Sequence, residues 1–176
     1  FGTLTWQAIK NRPARIAEFR LALGDIIAGL EARTGKTFGN PDNPLLLMAR
    51  SGGVISLPGV LDTISHIGLT PAITGRWSAQ LYEPARAWQA YLSFMLSYAK
   101  SVLDIDTAAV FRAAGHERYD ILFSSDAALL ESACRAIRGI IQQLSGRPDP
   151  AIPDDPFEQV FALSLIHISE PTRLRR

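Results

Sequence analysis

The run Leu45-Leu46-Leu47-Met48-Ala49-Arg50-Ser51-Gly52-Gly53-Val54-Ile55-Ser56-Leu57-Pro58-Gly59-Val60-Leu61-Asp62-Thr63 joins an apolar strand pattern to a glycine-rich turn and then to helix-start chemistry. The apolar stretch ends in the guanidinium of Arg50, and Gly52-Gly53 lets the backbone come close to a ligand. Ser56 is a cap candidate, and Pro58 suits a first helical turn, where its missing N–H leaves nothing unpaired. The spacing predicts a short helix from Gly59 to His66, with Val60, Ile64 and Ile67 on one side and Gly68 as its stop. A helix N-terminus beside Arg50 makes an anion site that suits a phosphate. The same residues also read as an ordinary β-hairpin turn, Arg50-Ser51-Gly52-Gly53, with Ser56 and Pro58 starting a purely structural helix.

Outward from this run the chain reads as helices. Ile16, Phe19, Leu23, Ile26, Ile27 and Leu30 recur at helical spacing after Pro13, and Thr34-Gly35 ends that helix. Gly35 to Asn43 is a loop leading into a strand from Leu45 to Arg50. Downstream, Trp88, Tyr91, Leu92, Met95, Tyr98 and Val102 form a wide apolar stripe over Pro84 to Leu103. Aromatic residues at that spacing are core rather than an adenine platform, so Trp77 and Trp88 are not assigned to a site. A further helix begins at Ser125 or Asp126, carries Leu129, Leu130, Ala133, Ile137, Ile140, Ile141 and Leu144, and stops at Gly146. Arg147 to Pro156 is a proline-rich loop, and a last helix starts near Asp155 or Pro156 with Phe157, Val160 and Phe161 on its apolar face. The expected class is α+β, predominantly helical.

Three flanking segments widen the opening run. Gly35-Lys36-Thr37-Phe38-Gly39-Asn40-Pro41 and Asn43-Pro44-Leu45-Leu46 precede it, and Ile67-Gly68-Leu69 follows. In that order they resemble the amino-terminal nucleotide-binding domain of the pyruvate, phosphate dikinase family. That domain carries a Thr-Gly-Lys-x-Phe-Gly segment, an apolar strand ending Arg-Ser-Gly, and then Ser-x-Pro-Gly-x-x-Asp-Thr. Ala87-Trp88-Gln89-Ala90-Tyr91, running on to Phe94 and Met95, resembles the family's aromatic-rich helical insertion. The resemblance covers residues 25–162. Val60 and Leu61 stand where the family has methionines, and the region after Leu69 matches loosely. Phosphoenolpyruvate synthases and glucan, water dikinases resemble the chain less, because they carry Arg-Ser-Ser-Ala without the Pro-Gly-x-x-Asp-Thr run.

The resemblance implies a partial ATP-grasp-type nucleotide-binding domain over residues 1–69 and a helical subdomain over 70–162. It implies ATP with Mg2+ as ligand, with Arg50 as the first phosphate-binding residue and Gly59 in the loop closing over the terminal phosphates. Ser51, Ser56 and Thr63 are the lesser hydroxyl candidates, and Asp62 orients the loop or a metal-bound water. The parent reaction converts ATP, phosphate and pyruvate to AMP, diphosphate and phosphoenolpyruvate through a phosphohistidine. That histidine, the metal ligands and the pyruvate and phosphate sites fall in domains outside this chain. The chain alone is therefore expected to be inactive, with no catalytic or metal-binding residue of its own, within a homo-oligomeric parent. Two other readings stand beside this one: a non-catalytic helical interaction or regulatory module, and a phosphoenolpyruvate synthase-type dikinase.

Composition narrows the partners. The 176 residues carry 18 Lys and Arg against 17 Asp and Glu. Leu163-Ser164-Leu165-Ile166-His167-Ile168-Ser169-Glu170-Pro171-Thr172-Arg173 resembles a translated sequencing adapter, so the native segment is expected to end at Ala162 and residues 163–176 to be non-native. Leaving that tail out removes three arginines and one glutamate, which moves the formal charge from +1 to −1. No basic stripe then remains for nucleic acid. The apolar runs fall short of the roughly eighteen residues that span a bilayer, so no membrane partner is expected. One cysteine, Cys134, excludes an internal disulfide and reads as packing in a reducing, cytoplasmic setting. Asp104 and Asp106 read as a helix stop and cap, and His66 as a histidine favoured by a helix C-terminus. No Ser/His/Asp or Cys/His set can be assembled.

Overall fold

A computed structural model of the chain describes residues 13–50, 63–115 and 119–169. Helix α1 spans Pro13–Thr34, and Phe19, Leu23 and Ile27 form its buried stripe, four residues apart as one helical face requires. It ends as expected at Gly35, whose φ of 67° is left-handed and whose N–H donates to the Glu31 carbonyl at 2.9 Å.

The strand expected over Leu45 to Arg50 is split. Strand β1 (Thr37–Phe38) pairs in parallel with β2 (Pro44–Leu45), whereas β3 (Leu47–Arg50) pairs antiparallel with β4 (Thr63–Ile67). This corrects the helix expected from Gly59 to His66. Gly59 to Asp62 lie outside the described residues, and Thr63 to His66 belong to a strand. Threonine and isoleucine are stiff at χ1 and favour the pleated conformation. Ladder bonds to β3 and the burial of Ile64 and Ile67, 0% and 1% exposed, add to that preference.

Helix α2 (Pro71–Ser78) opens on a start signal that helical periodicity alone does not reveal. Thr70 accepts from the Ile73 N–H at 3.2 Å, and Pro71 occupies the first turn. Helix α3 (Ala85–Val102) is the centre of the molecule. Trp88, Tyr91, Leu92, Met95, Tyr98 and Val102 are all buried, so the aromatic stripe is core as expected. Helix α4 (Thr107–Ala113) is capped by Asp106, whose carboxylate accepts from the Ala108 N–H at 3.1 Å. A 3-10 turn at Tyr119–Phe123 leads to α5 (Ala127–Ser145). Asp126 caps α5 through the Ala128 and Leu129 N–H groups at 2.9 and 3.0 Å, and Gly146 closes it with φ 60°.

Leu130, Ala133, Ile137 and Ile141 bury the α5 face against α3, but Leu129 and Leu144 are 50% and 47% exposed. The buried part of the apolar stripe is thus narrower than expected. After the loop, α6 (Pro156–Ser169) starts where Asp155 accepts from the Phe157 N–H at 2.8 Å. It runs beyond Ala162 without a break, and Leu163 is 2% exposed. The Phe161 ring sits 6.0 Å from that of Phe19, and the Arg20 guanidinium lies over the Phe157 and Phe161 rings while it pairs with Glu158. This second apolar cluster seats α1 on α6. The larger one joins β4, α2, α3, α4 and α5.

Candidate functional site

Strands β3 and β4 place two of the expected phosphate-site residues directly opposite each other. Arg50 pairs with Thr63, Ala49 with Ile64, and Leu47 with Ile67. Opposed residues of an antiparallel ladder share a face, and successive residues alternate. Leu47, Ala49, Ile64 and Ile67 therefore face the core, whereas Met48, Arg50 and Thr63 are exposed. Arg50 and Thr63 form a polar edge of a ribbon whose inner face rests on α3. The remaining candidates, Ser51, Ser56, Gly59 and Asp62, lie outside the described residues, in the sequence that joins the two strands.

The ladder contains a bulge. Between the pairs Leu47↔Ile67 and Ala49↔Ile64, β3 advances two residues and β4 three. His66 lies in the longer arm with φ 61°, a left-handed conformation that costs a residue with a Cβ about 1 kcal/mol or more. His66 is thus no helix-terminal histidine, which corrects that expectation. Its Nδ1 is buried without a hydrogen-bond partner among the described residues, and burial pushes the imidazole below its ordinary pKa.

The chain leaves the ribbon through Gly68 and Leu69, and here a buried amide acts as a clamp. Gln159 of α6 is 0% exposed. Its Oε1 accepts from the Gly68 N–H at 2.9 Å, and its Nε2 donates to the carbonyls of Leu69 and Pro153 at 3.0 and 2.9 Å. Gly68 has φ 109°, and a Cβ there would stand 2.8 Å from the Phe38 ring and 3.3 Å from the Leu45 carbonyl. Motif residues Phe38, Leu45 and Gly68 therefore meet at one point, which only glycine fits.

Two concave places lie apart from Arg50. A cleft of about 340 Å³ is lined by Thr34, Lys36, Asp42, Asn43, Trp77 and Gln80, among others, and Asp42 already pairs with Arg76 at 2.6 Å. A smaller hollow of about 100 Å³ lies between α3 and α5 beside Trp88, Tyr91, Cys134 and Arg138. There Arg138 donates to the Tyr91 hydroxyl at 2.7 Å and the Ile152 carbonyl at 2.8 Å, and pairs with Asp154 at 2.9 Å. Burial pushes the Cys134 thiol up to about 12, so it packs as an apolar group rather than reacting as a thiolate. Among the described residues no group of three or more His, Cys, Asp or Glu side chains can hold a metal ion, and no helix is long and apolar enough to cross a membrane.

Sequence reasoning missed both His66 as a bulge residue and Gln159 as a clamp. The signal for the first was two buried isoleucines at odd spacing in a β-branched run. For the second it was a single amide inside the apolar face of α6.

No family model matches the chain. Individual proteins do. Pyruvate, phosphate dikinase of Giardia intestinalis is 34% identical over 135 residues, covering 73% of this chain and 15% of that protein. Pyruvate, phosphate dikinase 1, chloroplastic, of Zea mays is 29% identical over 141 residues, covering 77% of this chain and 15% of the maize protein. The enzyme of Rickettsia bellii is 38% identical over 87 residues, covering 49% of this chain and 10% of its own length. The chain spans between about a tenth and a sixth of the length of these relatives. At this identity and coverage the chain belongs to the pyruvate, phosphate dikinase family.

Proposed function

We propose that this chain supplies part of the ATP site of a pyruvate, phosphate dikinase, with Arg50 as its principal phosphate ligand. The observation that carries the reading is the Arg50↔Thr63 pair on the outer face of the ribbon. A guanidinium there has a fixed fork of donors, and Thr63 adds a hydroxyl beside it. Ser51, Ser56, Gly59 and Asp62 fall between these two positions in sequence, on the segment that joins the two strands. In a phosphoryl transfer this arrangement would position the phosphates and neutralise charge on them, which is most of what such catalysis requires.

In this reading residues 1–69 are the phosphate-binding part of an ATP-grasp-type domain, and 70–162 are the helical subdomain behind it. Mg2+ accompanies ATP and is held by residues outside this chain. The parent reaction, from ATP, phosphate and pyruvate to AMP, diphosphate and phosphoenolpyruvate, runs through a carrier histidine elsewhere. A reducing cytoplasmic compartment suits the single buried Cys134.

The test is calorimetric titration with Mg·ATP of the full-length enzyme that carries this segment. Arg50→Ala should weaken binding tenfold or more, which is about 1.4 kcal/mol. A full-length enzyme that binds no Mg·ATP, or its Arg50→Ala variant with unchanged affinity, would overturn the reading. Capture of a protein partner by a chain blind to nucleotide would favour the interaction-module alternative instead.

A further inference from the structure

Ile64 and Ile67 are both core residues, 0% and 1% exposed, yet they stand three apart. In a regular strand an odd spacing sends one of the two to the opposite face. The bulge removes the conflict, and the left-handed backbone lies at His66, φ 61°. Without it, a ladder that kept Leu47 opposite Ile67 would set Ser65 against Ala49 and Ile64 against Arg50. That alternative expels Ile64 from the core and moves Thr63 away from Arg50.

We propose that His66 is a positioning residue: its left-handed backbone absorbs the extra residue of β4 and so holds Thr63 opposite Arg50 on the outer face of the ribbon. The role belongs to the backbone conformation rather than to the imidazole. Its importance for ligand binding rests on the ATP reading given above, whereas its importance for the pairing does not.

The prediction separates residues by what they tolerate at positive φ. Glycine adopts it freely, asparagine readily, alanine at a cost, and a β-branched residue hardly at all. His66→Gly and His66→Asn should keep the cross-strand contacts Ala49–Ile64 and Arg50–Thr63, read as nuclear Overhauser effects in the chain, and the full-length enzyme carrying them should bind Mg·ATP within twofold of the unsubstituted enzyme. His66→Val should lose the Arg50–Thr63 contact and weaken Mg·ATP at least fivefold. Should that variant not fold, His66→Ala provides the milder form of the same loss.

Retention of the Arg50–Thr63 contact in both His66→Val and His66→Ala overturns the proposal, as does loss of the contact with unchanged affinity. Equal weakening by glycine, asparagine and valine also overturns it, because that pattern assigns the effect to the imidazole. If the unsubstituted full-length enzyme binds no Mg·ATP, the ATP reading fails, and the cross-strand contacts alone decide the role of His66.

Discussion

Replacing Gln159 by methionine tests whether one buried amide ties the ribbon to the helices. Methionine keeps nearly the same length and volume, so the change removes hydrogen bonds without opening a large cavity. Three backbone groups lose their side-chain partner at once: the Gly68 N–H and the carbonyls of Leu69 and Pro153. An unpaired buried polar group costs about 1 to 3 kcal/mol, with carbonyls at the lower end, so the loss should total about 3 to 5 kcal/mol. Against a typical stability of about 5 to 15 kcal/mol, that is a large fraction. In urea, with a slope near about 2 kcal/mol per molar, the midpoint should fall by about 2 M at unchanged slope. Gln159→Glu adds a sign. The new carboxyl would be buried against two carbonyl oxygens, which favours its protonated form and raises its folded-state pKa. Folding then binds the proton, so this variant should be most stable below about pH 4.3 and lose stability as pH rises above it. A methionine variant whose midpoint moves by less than about 0.5 M, or a glutamate variant without that pH trend, would refute the clamp.

Other substitutions test neighbouring links. Gly68→Ala places a Cβ 2.8 Å from the Phe38 ring at φ 109°, and should cost about 2 kcal/mol or more in urea unfolding. A cost below about 0.5 kcal/mol would show that the close contact relaxes freely. His66 gives a pH prediction, since burial lowers its folded-state pKa below the ordinary value of 6.5. The unfolded chain then binds the proton more readily, so stability is fully present above about pH 6.5 and falls as the pH drops below it. Comparing His66→Asn with the parent by thermal unfolding between pH 7.5 and 5.0 isolates this contribution. Parallel curves would refute it.

Much of the helical frame is legible in the sequence alone. The stripes of α1, α3 and α5 repeat at helical spacing over long segments, and Asp126, Gly35 and Gly146 mark ends with side chains or conformations suited to them. Strand β4 is not legible, and the reason is specific. Ile64 and Ile67 at a spacing of three are a helical pattern, and a bulged strand produces the same pattern by inserting one residue between two inward positions. Periodicity cannot separate the two, so the decision falls to β3, whose ladder bonds exist only in three dimensions. Gln159 is illegible for a related cause, since its partner Gly68 is 91 residues away in sequence. The two local readings of the Arg50 run, anion site and hairpin turn, look like rivals on the same grounds. An antiparallel ladder returns the chain beside its point of departure, so Arg50 and Thr63 meet across the ribbon although twelve residues, 51–62, separate them in sequence. Antiparallel pairing is therefore a means of bringing a guanidinium and a hydroxyl to one place, so it is compatible with the proposed anion site, while Ser51-Gly52-Gly53 of the turn reading lie outside the described residues.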